Sequence, residues 1–336
     1  MPTTLADVAA LAGVSVKTVS RVVNREPGVS SRTRERVEAA LTRTGYVPDA
    51  AARALRTGRT GTIGLAVPEL AQPFFAELAD RVAAAARREG LGVVLGVTGE
   101  HGEHEARFLQ TALGLDGVIM YWQGLSDTAI TTERTHRPVV LLGEDEIPGI
   151  DSIGMDNGAG VALALDHLLA IGRERIAVVG APVVDAPPHG AARFRWAALE
   201  QALAERGIEL DPARVVRATR WPRPEGARAA AEILARGGRP DAILAFNDGL
   251  ALGALRGLAE AGVRVPDDIA VTGFDDVQEA RYASPSLTTV TPHLTAYAES
   301  AVNLLTDRLG GASGPARIVR QDVDLLPRDS TLGGAG

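Results

Sequence analysis

Lys17 and Arg21 stand four residues apart in the stretch "GVSVKTVSRVVN", Gly13 to Asn24, a spacing that puts both cations on one face of a helix. Donors so placed can reach guanine O6 and N7, and an apolar neighbour, here Val16, can touch a thymine methyl. Lys17 is also the only lysine in a chain with 34 arginines. Catalytic chemistry is thinly represented by comparison. No G-x-G-x-x-G follows a strand-like run, and no G-x-S-x-G, Walker A or H-E-x-x-H occurs. His101 and His104 in "EHGEHE" read as a polar helix-start loop rather than a metal pair, and no cofactor is expected.

The charge is unevenly distributed. Residues 1–60 hold ten Lys/Arg against five Asp/Glu, a balance of +5, so the other residues carry −12 of the overall −7. A basic arm on an acidic body suggests contact with nucleic acid, because cations displace the counterions of the phosphate backbone. With 336 residues, 46% hydrophobic and 23% charged, the chain has the material for two or three globular domains. The absence of cysteine excludes disulfides, thiolate nucleophiles and cysteine-ligated metal centres. The N-terminus lacks a charged segment followed by an apolar one, and no run reaches 18 apolar residues. A cytoplasmic protein with no membrane partner is the expectation.

Three short helices account for the first ~45 residues. Thr4 can cap a helix with Leu5, Val8, Ala9 and Leu11 on one face, ended by Gly13. Ser15 can cap a second, with Val19, Val22 and Val23 inward and Lys17, Ser20, Arg21 and Asn24 toward solvent. Ser31 is expected to cap a third, running through Val37, Ala40 and Leu41 to Gly45. Asp49–Gly58, "DAAARALRTG", spans only about two helical turns, too few for a stable isolated helix, and is expected to order only when packed.

From Thr62 the pattern alternates between strand-like and helical runs. The expected strands are Ile63–Val67, Val93–Val97, Gly117–Tyr121, Val139–Leu142, Ile176–Val179, Val215–Ala218, Ala242–Phe246 and Ile269–Phe274. Helices such as Ala76–Glu89, Gly160–Ile171, Phe194–Arg206 and Gly249–Ala261 lie between them. Such alternation predicts an α/β core of two Rossmann-like subdomains, with ligands at the C-terminal ends of the strands.

A helix, a glycine turn and a second helix form a helix-turn-helix. "TLADVAALAGVSVKTVSRVVN" and "VSSRTRERVEAALTRTGYVPDAAARAL" resemble the DNA-binding headpiece and hinge of the lactose-repressor (LacI/GalR) family over residues 3–56. The resemblance implies that Val16, Lys17 and Arg21 read bases while Thr4, Ser15, Thr18, Ser20, Asn24 and Ser30 meet phosphates. It implies that Leu55, with Ala52 beside it, is the hinge leucine that wedges into the minor groove. Asp49 departs from the family's usual asparagine, and either weaker phosphate binding or a cap on the hinge helix would follow.

"DGVIMY", "AILAFNDGLALGALRGL", "IAVTGFDD" and "LTTV" are similar to that family's periplasmic-binding-protein-like core. The implied boundaries are residues 1–48 for the headpiece, 49–60 for the hinge helix and linker, and 61–330 for an effector-binding and dimerisation core. Its subdomains would cover about 61–156 with 291–322, and 157–290. On the same basis Arg195, Asn247 and Asp275 fall at polar effector contacts and Trp221 at an aromatic that stacks on sugar rings, with Phe74, Phe75 and Trp122 as lesser candidates at the cleft edge. Duller roles stay open: Asn247-Asp248 as a helix cap, Asp275-Asp276 as a turn, Trp221 as a loop plug. Pro292 and His293 follow "LTTV" where the family often has Gln-Pro, which leaves that wall of the pocket unassigned, and Gly143 stands where some sugar-binding relatives carry aspartate.

The resemblance implies a homodimeric transcription repressor, not an enzyme, whose partners are double-stranded operator DNA and a mono- or disaccharide or a derivative. A sugar-binding transport protein and an α/β enzyme acting on a sugar are the competing classes.

Overall fold

The computed structural model describes residues 3–24, 26–46, 58–99, 102–112, 114–122, 137–183, 190–237 and 239–333. The chain divides into two compact units, Met1–Thr60 and Gly61–Gly336.

The first unit holds α1 (Leu5–Ala12), α2 (Val16–Val23) and α3 (Ser31–Thr44). Thr4 and Asp7 cap α1 reciprocally, and Gly13 ends it in the left-handed conformation that glycine adopts without strain (φ 64°). The Arg36 guanidinium donates to the carbonyls of Ala12 and Gly13, satisfying acceptors that the end of α1 leaves open. Val8, Ala9, Ala12, Val19, Val22, Val37 and Ala40 form the core. Two expectations are corrected. Leu11 is 42% exposed, because the inward stripe of α1 runs through Val8, Ala9 and Ala12. Ser30, not Ser31, caps α3: its backbone is extended and its hydroxyl accepts from the Thr33 amide at 3.3 Å. Asp49, Ala52 and Leu55, and with them the expected hinge helix, lie outside the described residues.

The second unit contains two six-stranded sheets. Its elements are β1 (Thr62–Val67), α4 (Pro73–Arg88), β2 (Gly92–Val97), α5 (Gly102–Thr111), β3 (Val118–Tyr121), β4 (Val139–Leu142), β5 (Asp151–Met155) and α6 (Asn157–Ala170). Then come β6 (Ile176–Ala181), α7 (Gly190–Glu205), β7 (Val215–Arg217), α8 (Arg223–Ala235), β8 (Ala242–Ala245), α9 (Asp248–Glu260), β9 (Ala270–Phe274) and α10 (Gln278–Tyr282). The last are β10 (Thr288–Thr291), α11 (Leu294–Leu309), β11 (Ile318–Gln321), β12 (Asp324–Leu326) and α12 (Asp329–Leu332).

The first sheet, in the order β11-β5-β4-β3-β1-β2, is parallel throughout. The second, β12-β10-β9-β8-β6-β7, is parallel except where β12 runs against β10. The chain passes between the sheets three times: after β5, after β10 and between β11 and β12. Central strands such as β3, β4, β6 and β8 are buried along their length, as parallel strands covered on both faces must be.

Four strands escaped the sequence reading, each for a physical reason. β11 carries Arg320, which pairs with Glu146, and Gln321, and β5 carries polar letters because Asp151, buried on it, takes two hydrogen bonds from Arg308 and one from the Arg317 amide, all at 2.8 Å. Burial alone would raise the Asp151 carboxyl, but these donors outweigh it and hold the group below its ordinary range. β10 is a run of threonines whose hydroxyls are taken up by Asp248 and the C-terminal segment, and β12 has only three residues.

Candidate functional site

The first candidate site is the N-terminal half of α2. Ser15 caps the helix through the Thr18 amide (3.1 Å), and the two hydroxyls are hydrogen-bonded at 2.9 Å. Thr4 and Ser30 cap their own helices, and Asn24 donates to the Ser20 hydroxyl at 3.2 Å. The six polar residues expected at phosphates are thus all engaged locally, and each oriented by a helix end or turn. Val16 is 46% exposed and Lys17 is exposed beside it. Arg21 is half-exposed, its Nε lying 3.8 Å from Glu26. With Val19 and Val22 fixed in the core, the opposite face presents one apolar and two cationic groups.

The second candidate is a cavity of about 410 Å³ between the two sheets of the larger unit. Gln72 and Phe74 line it from the first lobe, and Trp221, Asn247 and Asp275 from the second. Phe74 packs edge-on against Phe75 and Tyr121, with ring centroids 5.3 and 6.3 Å away. Asn247 is the N-cap of α9, accepting from the Leu250 amide at 2.8 Å, while its Nδ2 faces the Gln72 Oε1 at 3.5 Å. The capping role and a cavity-facing amide are therefore held by one side chain. Trp221 stands edge-on to Phe246 at 6.0 Å.

Arg195 is only 3% exposed and lies behind the cavity wall. Its guanidinium donates to Asn157 Oδ1 (2.8 Å), to the Phe246 carbonyl and to Asp275 Oδ1 (3.4 Å), and it covers the Phe274 ring at 3.5 Å. Asp275 and Asp276 both take positive φ, 118° and 51°, a conformation that turns the Asp275 carboxylate back toward Arg195. Burial pushes the Asp275 carboxyl up to about 7 against the pull of Arg195. Asp248 is fully buried beneath it, accepts from the Thr289 hydroxyl (2.6 Å) and the Val277 amide (2.9 Å), and is raised by burial and by Asp275. Gly273 is obligatory here, since a Cβ would lie 2.2 Å from Asp248 Oδ1.

Of the residues read from the sequence, Phe74, Trp221, Asn247 and Asp275 meet at the cavity and Arg195 backs it. Trp122 does not join them: it packs with Val118, Met120 and Leu141 in a separate cluster of the first lobe. His293 pairs with Asp324 at 2.8 Å, away from the cavity lining. His104 bonds the Thr98 carbonyl, and among the described residues no metal-binding group occurs; His101 lies outside them.

The sequence reading passed over Gln72, Tyr121, Glu144 and Asn157. Tyr121 is buried and its phenol is raised by that burial. Glu144 is buried, raised by desolvation, and hydrogen-bonded to the Met155 amide at 3.3 Å. It follows Gly143, so this region has a carboxylate one residue beyond the position where the resemblance leads one to expect aspartate. Tyr121, Glu144 and Asn157 all sit at or just past the C-terminal ends of strands, and that rule would have found them.

A helix-turn-helix unit followed by two parallel-sheet lobes around a cleft defines a DNA-binding transcription regulator built on a periplasmic-binding-protein-like core. Residues 4–49 match the model for bacterial regulatory proteins of the lacI family, and residues 165–331 that for a periplasmic binding protein-like domain. The HTH-type transcriptional repressor PurR of Erwinia tasmaniensis is 33% identical over 338 residues, covering 98% of this chain and 97% of its own. The lactose operon repressor of Escherichia coli K12 is 30% identical over 341 residues, covering 98% and 93%. The solved lac repressor dimer bound to operator and the anti-inducer ONPF superposes with a TM-score of 0.84 at 31% identity, over 99% of this chain and 100% of that one. The regulator CelR in complex with cellobiose gives 0.71 at 32% identity, over 98% and 99%. The chain belongs to the LacI family of transcription regulators. That membership sets aside both the enzyme and the transport-protein readings.

Proposed function

We propose that this chain is a homodimeric repressor that binds a pseudo-palindromic operator and whose grip on DNA is set by a small carbohydrate in the cleft. The observation that carries the reading is the outward face of α2, where Val16, Lys17 and Arg21 project from a helix whose valines are locked in the core. Two such helices related by a two-fold axis would read two half-sites. An operator-bound dimer among the similar structures, and a cellobiose complex in another, support the assembly and the ligand class.

The free edge of β2 supports a two-fold partner. Val94, Leu95 and Val97 are 47, 41 and 58% exposed on a strand that, among the described residues, pairs only with β1, a template that natural sheets cover. Headpiece 1–48, hinge 49–60 and core 61–330 then act in sequence: ligand in the cleft alters the geometry delivered to residues 49–60, and Leu55 enters or leaves the minor groove. DNA and ligand affinities change reciprocally. Such a protein works in the cytoplasm, on the nucleoid when bound.

Selection of duplexes from a random pool, run near ~50 mM salt where counterion release favours association, tests the DNA half. Enrichment of a two-fold-symmetric sequence is expected; no enrichment with or without metabolites refutes the reading. A thermal-shift screen of mono- and disaccharides, followed by binding to the enriched duplex with each hit, tests the other half. A hit that leaves DNA affinity unchanged sinks the coupling.

A further inference from the structure

A second hollow lies wholly within the second lobe. It measures about 420 Å³, as large as the cleft cavity and of a size that small-molecule sites have, and the two share no lining residue. α7, the turn that follows it and the edge strand β7 enclose it, with Trp196, Leu203, Ile208, Leu210 and Val215 as its apolar wall. That wall is fixed by the protein itself. The Ile208 amide donates to the Leu203 carbonyl at 3.0 Å, Asp211 caps the short turn Pro212–Arg214 through the Ala213 amide at 2.9 Å, and Val215 pairs with Val178 on β6. An apolar hollow open to water is a mark of a surface that something covers.

Charge at the mouth selects the occupant. Glu200 on α7 and Glu209 in the following turn are exposed there, and among the described residues neither carboxylate has an ion-pair or hydrogen-bond partner. Five other glutamates of this lobe, Glu205, Glu225, Glu232, Glu260 and Glu279, each meet an arginine. Arg217 is the one cation in the lining among the described residues, and it is committed. Its guanidinium donates to the Pro182 carbonyl and lies over the Trp196 ring at 5.4 Å, so this indole already accepts a cation.

We propose that this hollow is a second ligand site, for a small organic cation: an ammonium or guanidinium carried on an apolar body. The body covers the wall, and the cation meets Glu200 and Glu209 at the mouth. An anion is repelled by the two carboxylates, and a polyol would lose water to the apolar wall without regaining hydrogen bonds. A peptide strand is a poorer fit. β7 has only three residues and its Val215 carbonyl already accepts from Arg236 at 2.9 Å, which leaves an added strand little to pair with. The site is separate from the cleft and from α2, and gives the chain a second chemical input.

The test uses the full chain at low ionic strength, where surface charges are least screened, with phenethylammonium as the probe. It is followed through the indole N–H signals of Trp196 and Trp221, assigned with Trp196→Phe and Trp221→Phe. A saturable shift at Trp196 is expected. Phenethyl alcohol, nearly the same body without the charge, is expected to bind about fivefold more weakly, because two carboxylates act on the cation. Hydrocinnamate, the anion, is expected not to bind. Glu200→Gln combined with Glu209→Gln alters only exposed side chains without partners, and melting verifies the fold. This double variant is expected to bind cation and alcohol equally, and either single variant to show an intermediate preference.

A Trp196 signal that the cation leaves unmoved overturns the proposal, and so does a shift confined to Trp221, which puts the probe in the cleft. Equal binding of cation and alcohol by the wild type overturns it, as does a preference that survives in the double variant. A response only to a basic peptide carrying phenylalanine overturns it too, since the surface then reads a protein partner.

Discussion

The polar groups of the headpiece and those of the cleft are held in place by different kinds of contact. In the headpiece, Thr4 meets Asp7, Ser15 meets Thr18 and Ser30 meets Thr33, each three residues on. In the cleft, Arg195 meets Asn157, Phe246 and Asp275 at separations of 38, 51 and 80 residues. Tyr297 on α11 donates to the Ile153 carbonyl and accepts from the Gly143 amide across about half the chain. The first arrangement follows from local backbone geometry, whereas the second exists only once both sheets are assembled. The headpiece should therefore tolerate loss of single polar groups at modest cost, and the cleft should not.

The largest expected effect is at Arg195. Arg195→Ala leaves Asp275 buried without its partner, and breaking a buried pair costs about 3–5 kcal/mol. Calorimetric melting should show the larger unit destabilised; an unmoved transition would mean the pair is not a structural link. The same carboxyl predicts a pH signature. Asp275 is raised to about 7, so the folded state binds more protons than the unfolded between the ordinary carboxylate range and that value. Stability of the larger unit should fall as pH rises through this window and level off above it. Asp275→Asn should flatten the slope.

Next comes the headpiece core. Val19→Ala removes two methyl groups from a core of seven buried residues and should cost about 2 kcal/mol. Hydrogen exchange should accelerate in α1 to α3 while the larger unit is unchanged; equal acceleration in both units would refute their independence. Arg21→Ala should reduce discrimination between a selected duplex and random DNA by about 1–3 kcal/mol. An equal loss on both would make Arg21 a phosphate contact.

The smallest effect separates two neighbouring serines. Ser30→Ala should cost about 1 kcal/mol of headpiece stability through the lost cap, and Ser31→Ala much less. The reverse order would overturn the cap assignment made from the backbone geometry.

The headpiece was almost wholly legible in the sequence because its caps, glycine stop and valine stripe are short-range signals, read within four residues. It failed only by one residue at Ser30 and one face at Leu11, where an adjacent serine and an adjacent apolar side chain fitted the pattern equally well. In the body the central strands and Phe74, Trp221, Asn247 and Asp275 were legible, from apolar runs and family-like motifs.

Composition and periodicity alone determined that this chain has a small basic helical unit and a large α/β one, since burial of apolar side chains imposes those periods wherever the chain folds. Only the tertiary structure decided that Gln72 faces Asn247 in the cleft, that Trp122 does not join them, and that Asp275 turns toward Arg195. Those outcomes depend on which strand ends meet across two sheets and on how much water is removed between them. Neither quantity is written in any stretch of neighbouring residues.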